Sequence, residues 1–509
     1  MSRPWQGLLI VTGVALALRA YLIFAYPPIF GGDSVMRLAN ADRVLLAYQL
    51  PMLQGAIHLI QDPTAVRWFM IFVGAVASAG FYRLASGIAG ERGGLWAALL
   101  FATNPFMTAF SIVPYQEILM MAGLAFAFAF FFEGRLGRCS LTLGLACLTR
   151  YEAWIACPVL FAAWMWQCAS MLPSAAGWRA GFKDALLGVF MFGWAPAIWI
   201  AWNVGLTPEG SYAVESVWTF ERLWRWVYLG WITFKNTPPP VVVLALIGGW
   251  TAFENLSTLR KRGVFGSPQP GIRPADAGGS EKGFALAGFV VLFLLAILFS
   301  AHGERDQPDR FVTAREAHIL LAGGCLLAGL GIRRTQRFTT PLALICLAWS
   351  VVAADRFVDR ETSEPHVALS LEAARYLDQH VQEGETVVVL ANPIPRPALE
   401  TFLKQAGSGG IDSLLRLEVS PPDYQRVLVQ SQLPKARLES RSTLPTDLVP
   451  GQPLPRSSAP EWVVRWSDFE PSNEIEDKIA ALPVRSPQSI PSTGGEIHVQ
   501  IGRVDPLAY

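Results

Sequence analysis

Hydrophobic positions in this chain form long unbroken runs set apart by short charged segments, not the three-and-four spacing of a helix with one wet face. Runs long enough to cross a hydrocarbon layer lie at about 6–26, 68–85, 94–110, 114–132, 185–203, 240–254, 284–301, 311–331 and 338–354. The stretch 140–168 is too long for one straight span of about 20 residues and is interrupted by Arg150-Tyr151-Glu152. Charge parity decides how to read it. Taken as one span, it puts Arg260-Lys261-Arg262 and Arg333-Arg334-Thr335-Gln336-Arg337 outside, against the bias of Lys and Arg toward the cytoplasmic side. Taken as two short spans, it puts both clusters inside, with Arg92, Arg135, Arg138, Arg179 and Lys183. The pattern therefore predicts a multi-span α-helical membrane protein of about 11 transmembrane helices, N-terminus cytoplasmic. The apolar run from Gly7 to Ala25 lacks a small-residue cleavage site and reads as an uncleaved first helix.

Three segments then fall on the outer face: 27–67, 204–238 and 302–310. The first carries Asp33, Arg37, Asp42, Arg43 and His58 among apolar residues spaced for helices lying on the membrane surface. The second, with Trp218, Phe220, Trp224, Trp226 and Trp231, reads as an aromatic interfacial helix. The third, from His302 through Arg305 to Arg310, is densely charged. Residues 1–354 thus form a transmembrane domain. From 355 to 509 hydrophobicity falls, proline rises and no run could span, so this part is expected to be a soluble α/β domain on the outer face. Helical spacing at Leu371, Ala374, Leu377 and Val381 precedes a strand-like run, Thr386 to Leu390. Trp462 to Trp466 and the alternation Ile497, Val499, Ile501 predict further strands.

Composition agrees with the pattern. The chain is 52% hydrophobic and 16% charged, against roughly 25% charged in soluble domains. A net charge of +1 gives no reason to expect a nucleic-acid partner. Six cysteines sit in or beside apolar runs, which suggests neither a disulfide framework nor a zinc site.

Few residues can carry chemistry in such a chain. Asp33, after Gly31-Gly32, lies just past the first span at the outer mouth. It reads either as a helix N-cap or as a general base. Glu117, opening the fourth run on the same face after Pro114-Tyr115, reads either as a first-turn acid favoured by the helix dipole or as a second functional carboxylate. Two acids facing one mouth could divide base and orienting roles or share a divalent cation. Arg150 lies about 18 Å up its span, counting 1.5 Å per residue from Arg138. A guanidinium there needs a partner, either Glu152 or a lipid phosphate. Arg19 poses the same question, and outward snorkelling is the expected answer. Arg305 and Arg310 pair with Asp306 and Asp309 or take an anionic phosphate. His302 and His58 lack metal-ligand spacing and read as surface residues.

In order, these segments resemble the GT-C superfamily of polyprenyl-phosphate-sugar-dependent glycosyltransferases, near its protein-mannosyltransferase-like and aminoarabinose-transferase-like members. Leu16 to Tyr21 with Arg19, followed by Gly32-Asp33-Ser34, looks like the family's arginine-bearing first helix and loop acid. Ser111 to Met121 is similar to its fourth-helix start. Gly144-Leu145-Ala146-Cys147-Leu148-Thr149-Arg150 resembles a recurrent Leu-Thr-Arg/Lys segment, and Asp309-Arg310-Phe311 resembles a late Arg-Tyr. The chain departs from the family at Ser34, where many relatives carry a second acid, and at Phe311 in place of tyrosine.

The resemblance implies inverting transfer of a sugar from a polyprenyl-phosphate-linked donor to a glycan, lipid or protein hydroxyl on the outer face of the inner (cytoplasmic) membrane. Asp33 and Glu117 would then be catalytic, with a divalent cation between them as an option. Arg150, Arg310, Arg305 and Arg19 would bind donor phosphate, and Arg37, Tyr115, Tyr151, Glu152 and His302 would line the substrate. A lipid-linked-sugar transporter or flippase, or a non-catalytic membrane scaffold, is the alternative.

Overall fold

This computed structural model describes residues 4–26, 37, 41, 50–171, 177–206, 237, 239–261, 321–332, 339–362, 365–380, 386–390, 437–439, 462–467, 484–491 and 498–504. The outer segments 204–238 and 302–310 and the run 284–301 lie almost wholly outside that set, as do Asp33, Asp42, Arg43, His302, Arg305 and Arg310. The chain divides into two compact units. One comprises 1–22, 49–53 and 67–357; the other comprises 23–48, 54–66 and 358–509.

The first unit is helical. Its helices are α1 (Pro4–Ala25), α2 (Pro51–Ile60, running into the second unit), α3 (Pro63–Thr103), α4 (Pro105–Ala109), α5 (Gln116–Phe132), α6 (Leu136–Cys147), α7 (Ala156–Met171), α8 (Gly177–Leu206), α9 (Pro239–Lys261), α10 (Leu321–Ile332) and α11 (Thr339–Thr362). Among the described residues four helices are long and apolar enough to cross a membrane: Trp5–Ala25, Thr64–Thr103, Lys183–Ala201 and Thr340–Asp359. Shorter apolar helices accompany them, α5, α6 and α10 among them.

α3 is two helices in one. At about 1.5 Å per residue its length is twice a bilayer core. It breaks at Gly90 (φ 78°, ψ 166°), a conformation glycine adopts without penalty. The chain turns back there so tightly that a Cβ on Gly94 would meet the Ser86 backbone nitrogen at 2.4 Å. The runs expected at 68–85 and 94–110 are the two arms of this hairpin. The second run ends early, at Thr103, because Pro105 disfavours helix at the residue before it and Asn104 instead caps α4 through Phe106 N and Met107 N.

Small residues set the packing. Ala15, Ala75 and Ala102 form one buried cluster that lets α1 and both arms of α3 come close. A seam of glycines joins α9, α10 and the second arm of α3: a Cβ on Gly248 would lie 1.8 Å from Leu327 O, and one on Gly329 2.6 Å from Gly93 O. Gly248→Leu is therefore expected to cost about 1–3 kcal/mol by overpacking. Thermal unfolding in detergent checks it, and an unchanged midpoint would count against this seam. At the end of α5, Glu133 receives Arg83 Nε at 2.5 Å and Nη2 at 2.7 Å, and Arg83 holds its carboxyl below the usual carboxylate range.

The second unit contains α12 (Pro365–His380) and a five-stranded mixed sheet: β1 (Thr386–Leu390), β2 (Arg437–Glu439), β3 (Trp462–Trp466), β4 (Val484–Pro491) and β5 (His498–Val504), in the order β2-β1-β3-β5-β4. β1 is parallel to β2 and β3, whereas β5 runs antiparallel to β3 and β4. α12 packs on β4 and β5. Val463, Val464, Val499, Ile501 and Val504 are buried.

Candidate functional site

The segment Leu148–Ile155 interrupts what would be one long helix. α6 stops at Cys147, a 3₁₀ turn spans Tyr151–Ile155, and α7 resumes at Ala156. A break among apolar helices must satisfy its freed carbonyls internally, and here those of Gly144 to Leu148 all have donors. Leu148 N donates to Gly144 O at 2.9 Å, the Thr149 hydroxyl to Leu145 O at 2.7 Å, Arg150 N to Ala146 O at 3.1 Å and Trp154 Nε1 to Cys147 O at 2.9 Å. Leu148 O in turn accepts from Met52 N, at the start of α2, at 3.1 Å. Thr149 thus stabilises the end of α6, and the backbone of Arg150 is extended (φ −148°, ψ 147°).

That geometry presents Arg150 to two carboxylates. Its Nε donates to Glu152 Oε2 at 2.9 Å and its Nη2 to Glu152 Oε1, a forked pair. Its Nη1 donates to Glu117 Oε1 at 2.5 Å, across 33 residues of sequence. Glu117 lies in the first turn of α5 and is 1% exposed, and its Oε2 has no hydrogen-bond partner among the described residues. Two carboxylates thus converge on one guanidinium, Glu117 from α5 and Glu152 from the turn itself. The cluster has one spare, water-excluded acceptor, suited to a hydroxyl donor or a cation. Among the described residues no group of three or more His, Cys, Asp or Glu could hold a metal ion. Glu117 Oε2 is the one unpartnered oxygen the described cluster offers, and Asp33, the other acid expected to share a cation, lies outside the described residues.

The other sequence-predicted residues are placed as follows. Arg19 does not snorkel: it is fully buried. Its Nη1 donates to Ala15 O at 3.1 Å and Ala102 O at 3.0 Å, its Nη2 to Met107 O at 3.3 Å and its Nε to the Ser111 hydroxyl. Its donors thus go to carbonyls of α1, α3 and α4 and to one hydroxyl, and near the end of α3 a cation also complements the helix dipole. Arg37 is fully buried, with its carbonyl accepting from Gln54 Nε2 at 3.2 Å. His58, expected at the surface, is half-buried with Nδ1 3.0 Å from Ala41 O. Tyr115 is buried edge-on to Phe110 and caps α5 from an extended conformation. The helix therefore starts at Gln116, and Pro114 is not its first residue. Tyr151 is exposed, its hydroxyl accepting from Trp199 Nε1 at 3.2 Å. Sequence reasoning missed Asn104 and Gly74, where a Cβ would lie 2.5 Å from Arg19 Nε, and named Ser111 only as the start of a segment. The Asn104-Pro105 pair, a helix cap before a helix-starting proline, was the available signal.

No protein-family model matches the chain, and no curated protein does. Among solved structures the chain is similar to an oligosaccharyltransferase of Archaeoglobus fulgidus crystallised with Zn and sulfate, at 13% identity and a TM-score of 0.42, covering 75% of this chain and 60% of that one. It is similar also to the archaeal oligosaccharyltransferase AglB of Archaeoglobus fulgidus in complex with an inhibitory peptide and a dolichol-phosphate, at 12% identity and a TM-score of 0.41, covering 76% and 62%. The chain thus spans about three fifths of the length of these two structures.

Proposed function

We propose that this chain is an integral-membrane glycosyltransferase. It moves a sugar from an isoprenoid-phosphate-linked donor to an acceptor hydroxyl on the outer face of the cytoplasmic membrane, with inversion at the anomeric carbon. One observation carries the reading: Glu117 and Arg150, from two separate segments of the family resemblance, meet in a buried ion-paired cluster at a helix break, with one carboxylate oxygen to spare. Charge buried among apolar helices is expensive and is kept where it does work.

In this reading Asp33 takes the proton of the acceptor hydroxyl as that oxygen attacks the anomeric carbon, and the donor phosphate leaves. Glu117 accepts a hydrogen bond from the acceptor through Oε2 and orients it. Arg150, bound by two carboxylates, is a positioning residue: its Nη1 holds Glu117 Oε1 and so aims the other oxygen. Charge developing on the leaving phosphate falls to Arg310 and Arg305.

The test is transfer in vitro by purified, reconstituted protein, with polyprenyl-phosphate hexose and pentose donors and glycan, lipid and protein acceptors, with and without a chelator. Asp33→Asn is expected to lower the rate by about 10²–10⁴-fold and Glu117→Gln by about 10²-fold. Wild-type rates in both variants would refute the assignment. Movement of the lipid-linked sugar across vesicles without transfer from any donor would make the chain a transporter.

A further inference from the structure

The break that presents Arg150 is flanked by two thiols. Cys147 is the last residue of α6 and Cys157 the second of α7. Their sulfurs are 3.5 Å apart, one S–H donating to the other sulfur. Cys147 is buried and Cys157 half-buried. The remaining described cysteines, Cys139, Cys325 and Cys346, are buried free thiols.

We propose that Cys147 and Cys157 are a site of reversible oxidation, closing to a disulfide that clamps the Arg150 turn. A disulfide needs its sulfurs at about 2.0 Å, so the pair has about 1.5 Å to close, within the reach of side-chain torsions at two helix ends. The oxidant is a disulfide of the thiol-exchange class. The Cys157 thiolate attacks one sulfur of R–S–S–R and expels a first thiolate, forming a mixed disulfide. The Cys147 thiolate then attacks the Cys157 sulfur and expels the second. The sum is two protein thiols plus R–S–S–R giving one protein disulfide plus two R–SH, and the two protons end on the released thiols. The sequence-based topology turns this break toward the outer face, where such oxidants prevail. The ring so closed contains Leu148, Thr149, Arg150 and Glu152, and therefore the guanidinium that holds Glu117.

The full chain in lipid nanodiscs, treated with oxidised glutathione and then alkylated and digested, is expected to yield one cross-linked peptide joining Cys147 to Cys157, reversed by dithiothreitol. Cys157→Ser is expected to abolish it. Hydrogen exchange across residues 148–155 is expected to slow on oxidation in wild type and stay unchanged in Cys157→Ser. A cross-link no more frequent than one involving Cys139 or Cys325 would overturn the proposal, as would faster or equal exchange in the oxidised turn. Neither readout involves sugar transfer. Failure of every donor in the transfer assay would sink the enzymatic reading alone, and failure to cross-link would sink this one alone.

Discussion

Arg150→Met is expected to lower unfolding free energy by about 3 kcal/mol, because it strands Glu117 as a buried charge. Glu117 is 1% exposed and its Oε1 has Arg150 at 2.5 Å, so the loss is desolvation left uncompensated more than attraction removed. Glu152, 11% exposed on its side chain, contributes less, since a partly wet carboxylate keeps some hydration. The same substitution is expected to cut transfer by about 10²-fold, by letting Glu117 move off its line. A double variant, Glu117→Gln with Arg150→Met, separates the two effects. Removing both charges restores most of the stability, as apolar replacement of a buried pair commonly does, while activity stays low. Unfolding in detergent and the transfer assay give both numbers. If the double variant is as unstable as the sum of the singles, Glu117 and Arg150 are not energetically coupled and the cluster is misread.

That cluster shows what sequence could and could not supply. Helix positions were legible because apolar runs are a one-dimensional signal; α1, α5, α8, α9 and α11 fall where the runs lie. The split of 140–168 was legible as well, since Arg150-Tyr151-Glu152 is too costly for the middle of a straight helix. The partner of Arg150 was only half legible. Glu152 is two residues away and was named, whereas Glu117 arrives by tertiary packing of α5 against α6. In the second unit, β1, β3 and β5 carry β-branched or alternating apolar residues and were found. β4, with Pro487 and Pro491, was not. It is an edge strand with an irregularity between Arg485 and Gln488, the one place in a sheet where proline costs little. β2 is three residues long and, among the described residues, paired with β1 alone, too short to leave a pattern.

Arg19 is where the sequence reading failed most clearly, and its physical role makes the strongest stability prediction after Arg150. A lone arginine in a first span reads as snorkelling because no acid accompanies it. The structure supplies carbonyls instead: the helix break at Asn104 and the short α4 leave Ala102 O and Met107 O facing α1, and one planar guanidinium serves both together with the Ser111 hydroxyl. Arg19→Met is expected to cost about 1.5–3 kcal/mol, the loss of hydrogen bonds from a charged donor, since Ala102 O and Met107 O keep the Thr108 and Ser111 hydroxyls. Arg19→Lys is expected to do nearly as badly, because one ammonium cannot span acceptors set for a fork. Gly74→Ala attacks the same centre from α3, since its new Cβ would sit 2.5 Å from Arg19 Nε and 2.6 Å from Ser111 Cβ. Combined with Arg19→Met it should cost less than the sum, the clashing nitrogen being gone. Full stability in Arg19→Lys would show that charge alone suffices at the α3–α4 break and would overturn the forked geometry. Additive losses for Gly74→Ala and Arg19→Met would show that the two residues act on different parts of the bundle.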